Sequence, residues 1–334
     1  MKRLITIVIL LLMNVFAIAQ SFVPDTTLFF KETPIKSFKR INSKENIIIY
    51  KTSLRLNTDG APKSYHPRDL RADSLALNLI INGMAVYRKS DGFCISIPDK
   101  GIIDYHEKYK DTKKRPSDFT KEEKIQMIRR AYKVIEDFIA NDYNQPSEYE
   151  IFWKSVFVNK DGRPCIFSSG ENKGYFASMT AVDNGNIKDK GECDCNYYLD
   201  ATKIPAIVLP KGKNALSLLG AKKENLVIAY NPETKKVTYA IIGDTGPASN
   251  LGEGNILMNQ SLLKNVQYET NRQSINRALN ISKSIIICVI PTESTSHLKP
   301  YSEEKIKAEC ENWIRKSGFK STEEFIVFLT KNAS

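Results

Sequence analysis

The sequence predicts an α+β, β-rich fold: a single compact multi-stranded β domain, barrel-like or sandwich-like, with a helical insertion and a C-terminal helical extension. Three observations predict it. Short runs rich in Ile, Val, Tyr and Phe recur along the chain, punctuated by turn residues such as Asp59-Gly60, Asp161-Gly162 and Asn231-Pro232. These runs do not alternate with helices as βα units would. Helical periodicity is confined to one stretch near the middle and to the C-terminus.

In chain order, residues 1–19 read as a secretory leader. Lys2 and Arg3 form a positive start, Leu4 to Phe16 is apolar apart from Thr6 and Asn14, and Ala17-Ile18-Ala19 supplies a small-x-small cleavage pattern. The apolar stretch falls short of the ~20 residues that a spanning helix needs. A secreted or periplasmic location follows, with cleavage after Ala19. Residues 20–44 form a lead-in to a domain expected over residues 45–291. Its strands are expected at Asn46–Lys51, Met84–Lys89, Phe93–Ile97, Ser155–Val158, Tyr175–Val182, Ile204–Leu209, Leu226–Tyr230, Val237–Ile242 and Ser284–Ile290. A helical insertion at about residues 100–150 interrupts them. There Thr120 and Glu123 make a capping box, and Ile128, Tyr132, Ile135 and Ile139 recur on one face. Residues 292–334 form the helical extension, with Ser302-x-x-Lys305 opening one helix and Gly318 separating it from another at Thr322–Leu329.

Composition bounds the function. With 334 residues, 42% of them hydrophobic and 26% charged, the chain is neither disordered nor collagen-like nor a multi-span membrane protein. Without the leader it carries 47 basic against 38 acidic side chains, a net +9. Such an excess draws a protein towards anionic polymers or surfaces, although the lysines are scattered. The densest basic run, His106 to Arg115, is interrupted by acids, and no nucleic-acid recognition motif is present. Three histidines leave little scope for a metal centre, and no cofactor is expected. Six cysteines are too few for a disulfide scaffold; buried thiols or one or two bridges are expected, with Cys193 and Cys195 too close to pair comfortably with each other. A monomer is expected.

The informative segment is Val237 to Asn255, VTYAIIGDTGPASNLGEGN. A strand ends at Gly243 and delivers Asp244 to a sheet edge; Thr245-Gly246-Pro247 turns the chain; Glu253 follows between Gly252 and Gly254, nine residues on. Two carboxylates offered from one strand-end loop suit glycosidic bond cleavage. One carboxyl protonates the leaving oxygen while the other activates water or attacks carbon. Asp before Thr-Gly-Pro is also an ordinary turn residue, since Asp caps turns with its own side chain.

GDTGP followed by LGEGN resembles the paired catalytic segment of glycoside hydrolase family 75, the chitosanase family typified by fungal enzymes. Other segments resemble that family in the same order: NTDGAPKSYHP at residues 57–67, GYFASMTAV at 174–182 and YLDATKIPAIVLP at 198–210, with Ser284 to Pro291 as a closing strand. The resemblance covers about residues 45–291. It implies an endo-acting, inverting glycosidase that cleaves a β-1,4-linked glucosamine-containing polysaccharide with Asp244 and Glu253. Glu253 is cast as general acid and Asp244 as base, an order the sequence does not settle. Substrate contacts are expected from Asp59, Tyr65, Tyr175, Tyr198, Asp200 and Thr245, with Asp59, Tyr175, Asp200, Asp244 and Glu253 near one cleft. Asn57 stands where the family often has an acidic residue.

Charge bears on the substrate. Chitosan is a polycation and the chain is basic, so a locally acidic cleft is required, for which Asp59, Asp183, Asp194, Asp200, Asp244 and Glu253 are candidates. An acetylated amino-sugar polymer such as peptidoglycan is the alternative substrate. A carbohydrate-binding protein that keeps the fold without catalysis is the alternative from another class.

Overall fold

The computed structural model describes residues 22–99, 107–109, 111–185, 193, 197–291 and 295–333. The leader expected at residues 1–19 lies outside them, as do Asp194 and Cys195. Among the described residues there are twelve strands: β1 (Phe22–Phe30), β2 (Thr33–Arg40), β3 (Asn46–Leu56), β4 (Met84–Arg88), β5 (Tyr149–Trp153), β6 (Asn159–Lys160), β7 (Arg163–Pro164), β8 (Ala206–Pro210), β9 (Leu226–Asn231), β10 (Lys236–Gly246), β11 (Glu253–Gly254) and β12 (Ile281–Ile290). The same described residues form six α-helices: α1 (Lys121–Ala140), α2 (Ala215–Leu218), α3 (Ile256–Leu262), α4 (Arg272–Leu279), α5 (Glu303–Lys316) and α6 (Thr322–Asn332).

The expectation of a β-rich α+β domain holds. Strands β3, β11, β8, β10, β9 and β12 pair in that order, and β12 pairs back onto β3, closing a six-stranded barrel. Closure removes sheet edges that would otherwise pair with other chains. Hydrophobic runs such as Ile47-Ile48-Ile49-Tyr50 are buried throughout, because both faces of the barrel wall are covered. Alternate residues of the same strands feed two cores. Ile49, Ile228, Ile241 and Cys288 pack with Trp313, Ile314 and Phe325 of α5 and α6. Ile48, Val227, Ile242 and Ile287 pack with Met258 and Leu262 of α3. Fully burying one such aliphatic side chain stabilises the fold by ~1.5–3 kcal/mol.

Strand β3 serves two neighbours along one edge. Its start, Asn46 to Ile49, pairs with β2, while Arg55 and Leu56 at its end pair with β11. The lead-in is therefore a β1–β2 hairpin extending the barrel wall. Its outer strand (FVPDTTLFF) is exposed over most of its length and contains Pro24, as an edge strand tolerates. The segments Phe93–Ile97, Ser155–Val158 and Tyr175–Val182 are not strands; they run as loops carrying the single bridges Tyr87–Cys94, Phe157–Ser178 and Ile166–Phe176.

Helix α1 starts as its capping box predicts, with Thr120 Oγ1 accepting from Glu123 N and the Glu123 carboxylate accepting from Thr120 N. Its buried face is Ala131, Val134, Ile135 and Phe138. These pack against β4–β5 and also against Tyr65, Phe157 and Phe176. The helical insertion is thus part of the wall behind Asp59 rather than an appendage. Cys165 and Cys193 form a disulfide, while Cys94, Cys288 and Cys310 are buried free thiols. Among the described residues no helix is long and apolar enough to cross a membrane.

Candidate active site

Asp244 lies near the end of β10, beside the parallel strand β8. The ladder skips Gly243: Ile242 pairs with Ile207 and Asp244 with Val208. Such a bulge re-aims the side chains that follow it. Gly243 fits where a Cβ would stand 2.7 Å from Ala206 Cβ and 2.8 Å from Leu199 Cδ1. The Asp244 carboxylate accepts through Oδ1 from the backbone N–H of Ala181 (2.9 Å) and Thr245 (2.8 Å). Its Oδ2 faces Asn57 Nδ2 at 3.4 Å. Burial, then the charge of Asp59, pushes the carboxyl up to about 7 in spite of these donors and Lys211.

Glu253 lies on β11, a two-residue strand on the other side of β8, with Glu253 opposite Arg55 of β3 and Gly254 opposite Ile207. Gly252 brings it there: φ is 79°, its carbonyl accepts from Arg55 N at 2.9 Å, and a Cβ would run into the Ser53 carbonyl. Asn255 then caps α3 through Met258 N (3.0 Å) and donates to Ile204 O (2.7 Å), which pins the segment to the barrel. Glu253 Oε1 accepts from Asn250 Nδ2 (2.9 Å) and stands 3.7 Å from the Arg55 guanidinium; the side chain is 16% exposed.

The two carboxyls share one face of the wall. A Cβ at Gly246, two residues beyond Asp244 and hence on its face, would meet Glu253 Oε2 at 3.2 Å. Their strands flank β8 and so lie roughly 10 Å apart, twice the ordinary interstrand spacing.

Asp59 completes the group. It follows the end of β3 in a turn where Asn57 Oδ1 accepts from Asp59 N at 2.7 Å. That bond orients the Asn57 amide and leaves its Nδ2 towards Asp244. Asp59 Oδ1 accepts from Tyr65 Oη (2.7 Å) and Asn78 Nδ2 (3.3 Å). Burial first, and the charge of Glu253 among the smaller causes, raises Asp59 to about 6 against its two hydrogen-bond donors. Asp59 thus lies within electrostatic reach of both other carboxylates: its charge raises Asp244, and the charge of Glu253 raises it. Beside them is a cleft of about 160 Å³, lined by Glu253, Asn57, Asn78, Asn82, Asn276 and Arg272 among others.

The other expected contacts fall elsewhere. Tyr65 is completely buried, with its ring 4.7 Å from that of Phe157, so it orients Asp59 from behind and offers no face to a sugar. Tyr175 is also buried and donates to Leu75 O at 2.9 Å, with its ring edge-on to His66. Thr245 serves Asp244 through its backbone N–H. Tyr198 and Asp200 line a second cavity of about 240 Å³, which meets the Asp59 turn at Gly60. The Asp200 carboxylate is taken up locally, by Thr202 N and Oγ1 and by Lys203 at 3.2 Å. Arg55, Asn78, Asn82, Arg272 and Asn276 were not legible as site residues, since single polar residues scattered between positions 55 and 276 form no motif.

Among the described residues no group of His, Cys, Asp and Glu is arranged to hold a metal ion. Comparison with known proteins returns no matching family model and no matching curated protein.

Proposed function

We propose that this protein is an exported glycoside hydrolase that cleaves a β-1,4-linked amino-sugar polysaccharide by an inverting Asp/Glu mechanism, as its resemblance to family 75 chitosanases implies. The observation that carries the reading is the convergence of Asp244 and Glu253 on one face beside a polar cleft, from opposite sides of β8. Inversion needs carboxyls ~6.5–9.5 Å apart, with room for a water on the far side of the sugar. Strands flanking a common neighbour suit that span.

The roles follow the environments and reverse the order expected from sequence. Asp244, raised to about 7, holds a proton near neutrality and donates it to the leaving glycosidic oxygen. Glu253, nearer the cleft and faced by Asn250 and Arg55, takes the proton of the attacking water. Asp59 keeps negative charge beside Asp244 and thereby sets its proton affinity. The disulfide between Cys165 and Cys193 is in keeping with an oxidising compartment outside the cytosol.

A second reading is an acetylated amino-sugar polymer such as peptidoglycan. It is favoured by the net positive charge and by the guanidinium of Arg272 on the cleft wall. Release of new reducing ends from chitosan and from peptidoglycan, wild type beside Glu253→Gln, tests the proposal. Release by the wild type and its loss in the variant is expected. Polysaccharide binding without release by either protein would replace the hydrolase with a carbohydrate-binding protein.

A further inference from the structure

The wall of the cleft beside Glu253 carries an arginine, Arg272, that the proposed chemistry does not use. Arg272 opens α4, where its backbone N–H is tied to Ala72 O at 2.9 Å, fixing the helix start against the loop that Asp69 organises. Arg272 is exposed and lines the same cleft as Glu253, and among the described residues its guanidinium has no hydrogen bond or carboxylate partner. Arg71, one residue before Ala72, lays its guanidinium 5.0 Å from the centre of the Tyr132 ring. Burial raises the Tyr132 hydroxyl, and the charges of Arg71 and Arg272 oppose that rise. Asp73 acts on the same hydroxyl and forms an ion pair with neither arginine.

The same cleft is lined by the amides of Asn57, Asn78, Asn82 and Asn276. Asn82 donates to Asn78 at 2.7 Å, Asn78 in turn donates to Asp59 and Tyr65, and Asn276 donates to Arg272 O at 2.7 Å. Amides match hydroxyl and acetamido groups, whereas a free ammonium on the sugar would face an unpaired guanidinium. An unpaired arginine fork beside such a floor is suited to a carboxylate, which it can hold with two parallel hydrogen bonds.

We propose that Arg272 binds a carboxylate carried by a sugar unit next to the scissile bond, so that the substrate is an acidic, N-acetylated amino-sugar polymer rather than a polycation. The inference rests on the glycosidase reading and names its substrate class. It also accounts for a basic protein acting on a polysaccharide, because the net +9 left after removal of residues 1–19 steers an acidic polymer towards the cleft.

The test uses full-length Glu253→Gln protein, so that glycan is bound without being cut. Its probes are peptide-free glycan strands of peptidoglycan, which carry a lactyl carboxylate on alternate acetylated sugars, the same strands with those carboxylates reduced to alcohols, and chitosan oligomers. The carboxylate strands are expected to bind at least tenfold more tightly than the reduced strands. Adding Arg272→Gln should remove that difference without changing affinity for the reduced strands, and Arg272→Lys should restore part of it. Equal binding of the carboxylate and reduced strands, or tightest binding of chitosan, would overturn the inference. So would an Arg272→Gln variant that weakens both kinds of strand alike, since that is the mark of a structural role. The glycosidase reading is separately exposed. Glu253-dependent release from chitosan together with indifference to the carboxylate sinks the inference and keeps the hydrolase. Carboxylate-dependent binding with no release by the wild type does the reverse.

Discussion

Replacing Asp244 with Asn should separate the proposed chemistry from stability in a way that depends on pH. In the folded protein the Asp244 carboxyl is raised from its ordinary value of 3.8 to about 7, chiefly by burial. The unfolded chain releases this proton near the ordinary value and the folded protein only near 7. Between those limits the folded state binds more protons, so the group's contribution favours folding below about pH 4 and is lost as pH rises to about 7. A rise of about three pH units corresponds to about 4 kcal/mol at most, and roughly 2–4 kcal/mol for a half-buried side chain that water partly reaches.

Asn at this position cannot ionise, so this component disappears. It also turns an N–H2 towards Asn57 Nδ2, where two donors meet, at a cost of ~1–3 kcal/mol that does not vary with pH. The variant is therefore expected to be less stable than wild type at pH 4.5 and to gain on it by about 2–4 kcal/mol by pH 8. Urea unfolding of both proteins at half-unit intervals from pH 4.5 to 8.5, with equal m-values, measures the gap. The same variant should lose hydrolysis by ~10²–10⁴-fold. Stability curves that run parallel across this range would show that Asp244 does not hold a proton near neutrality, and its role as general acid would fall with them.

Other expectations concern the neighbours. Glu253→Gln should cut hydrolysis by ~10²–10⁴-fold and leave the fold intact, as circular dichroism would show; proton NMR of fresh product should reveal the inverted anomer first, and a retained anomer would replace the water-activating role of Glu253 with a covalent or substrate-assisted route. Activity should fall as pH rises past about 7, where Asp244 loses its proton. Asn57→Asp sets a second carboxylate about 3.4 Å from Asp244 Oδ2 and should move that alkaline limb up by roughly one pH unit, since a nearby like charge disfavours ionisation. Gly252→Ala should lower both thermal stability, by ~1–3 kcal/mol, and activity, because φ is 79° and the new Cβ meets the Ser53 carbonyl. Gly162→Ala, at φ 77° with nothing within 4 Å, is the control that carries backbone strain alone.

Much of the barrel was legible because its strands are dense in β-branched residues: β3, β8, β9, β10 and β12 overlap the runs expected from sequence. Helix α1 was legible from its cap and period. The β1–β2 hairpin was not, since its outer strand is exposed and shows no apolar alternation. Tyr175–Val182 misled in the opposite direction. Phe176 is fully buried against Phe157, Ala177 packs with Val158 and Cys165, and Val182 joins the barrel core, so the segment's apolar residues fill three layers rather than a ladder. Tyr65 misled for a similar reason: an aromatic in a motif offers sequence no sign of whether its ring or its hydroxyl will be used.

For the site, sequence by itself singled out Asp244 and Glu253, because glycines and turn residues around a carboxylate leave a local record. It also marked Asp59 and the departure at Asn57. Tertiary structure alone decided that Asp59 acts on Asp244 and Glu253 on Asp59, that Asp200 and Tyr198 face a second cavity, and that Arg272 joins the cleft from 19 residues beyond Glu253. The physical reason is that a carboxylate's chemistry is set by desolvation and neighbouring charge, both of which arise only when β3, β8, β10 and β11 are laid side by side.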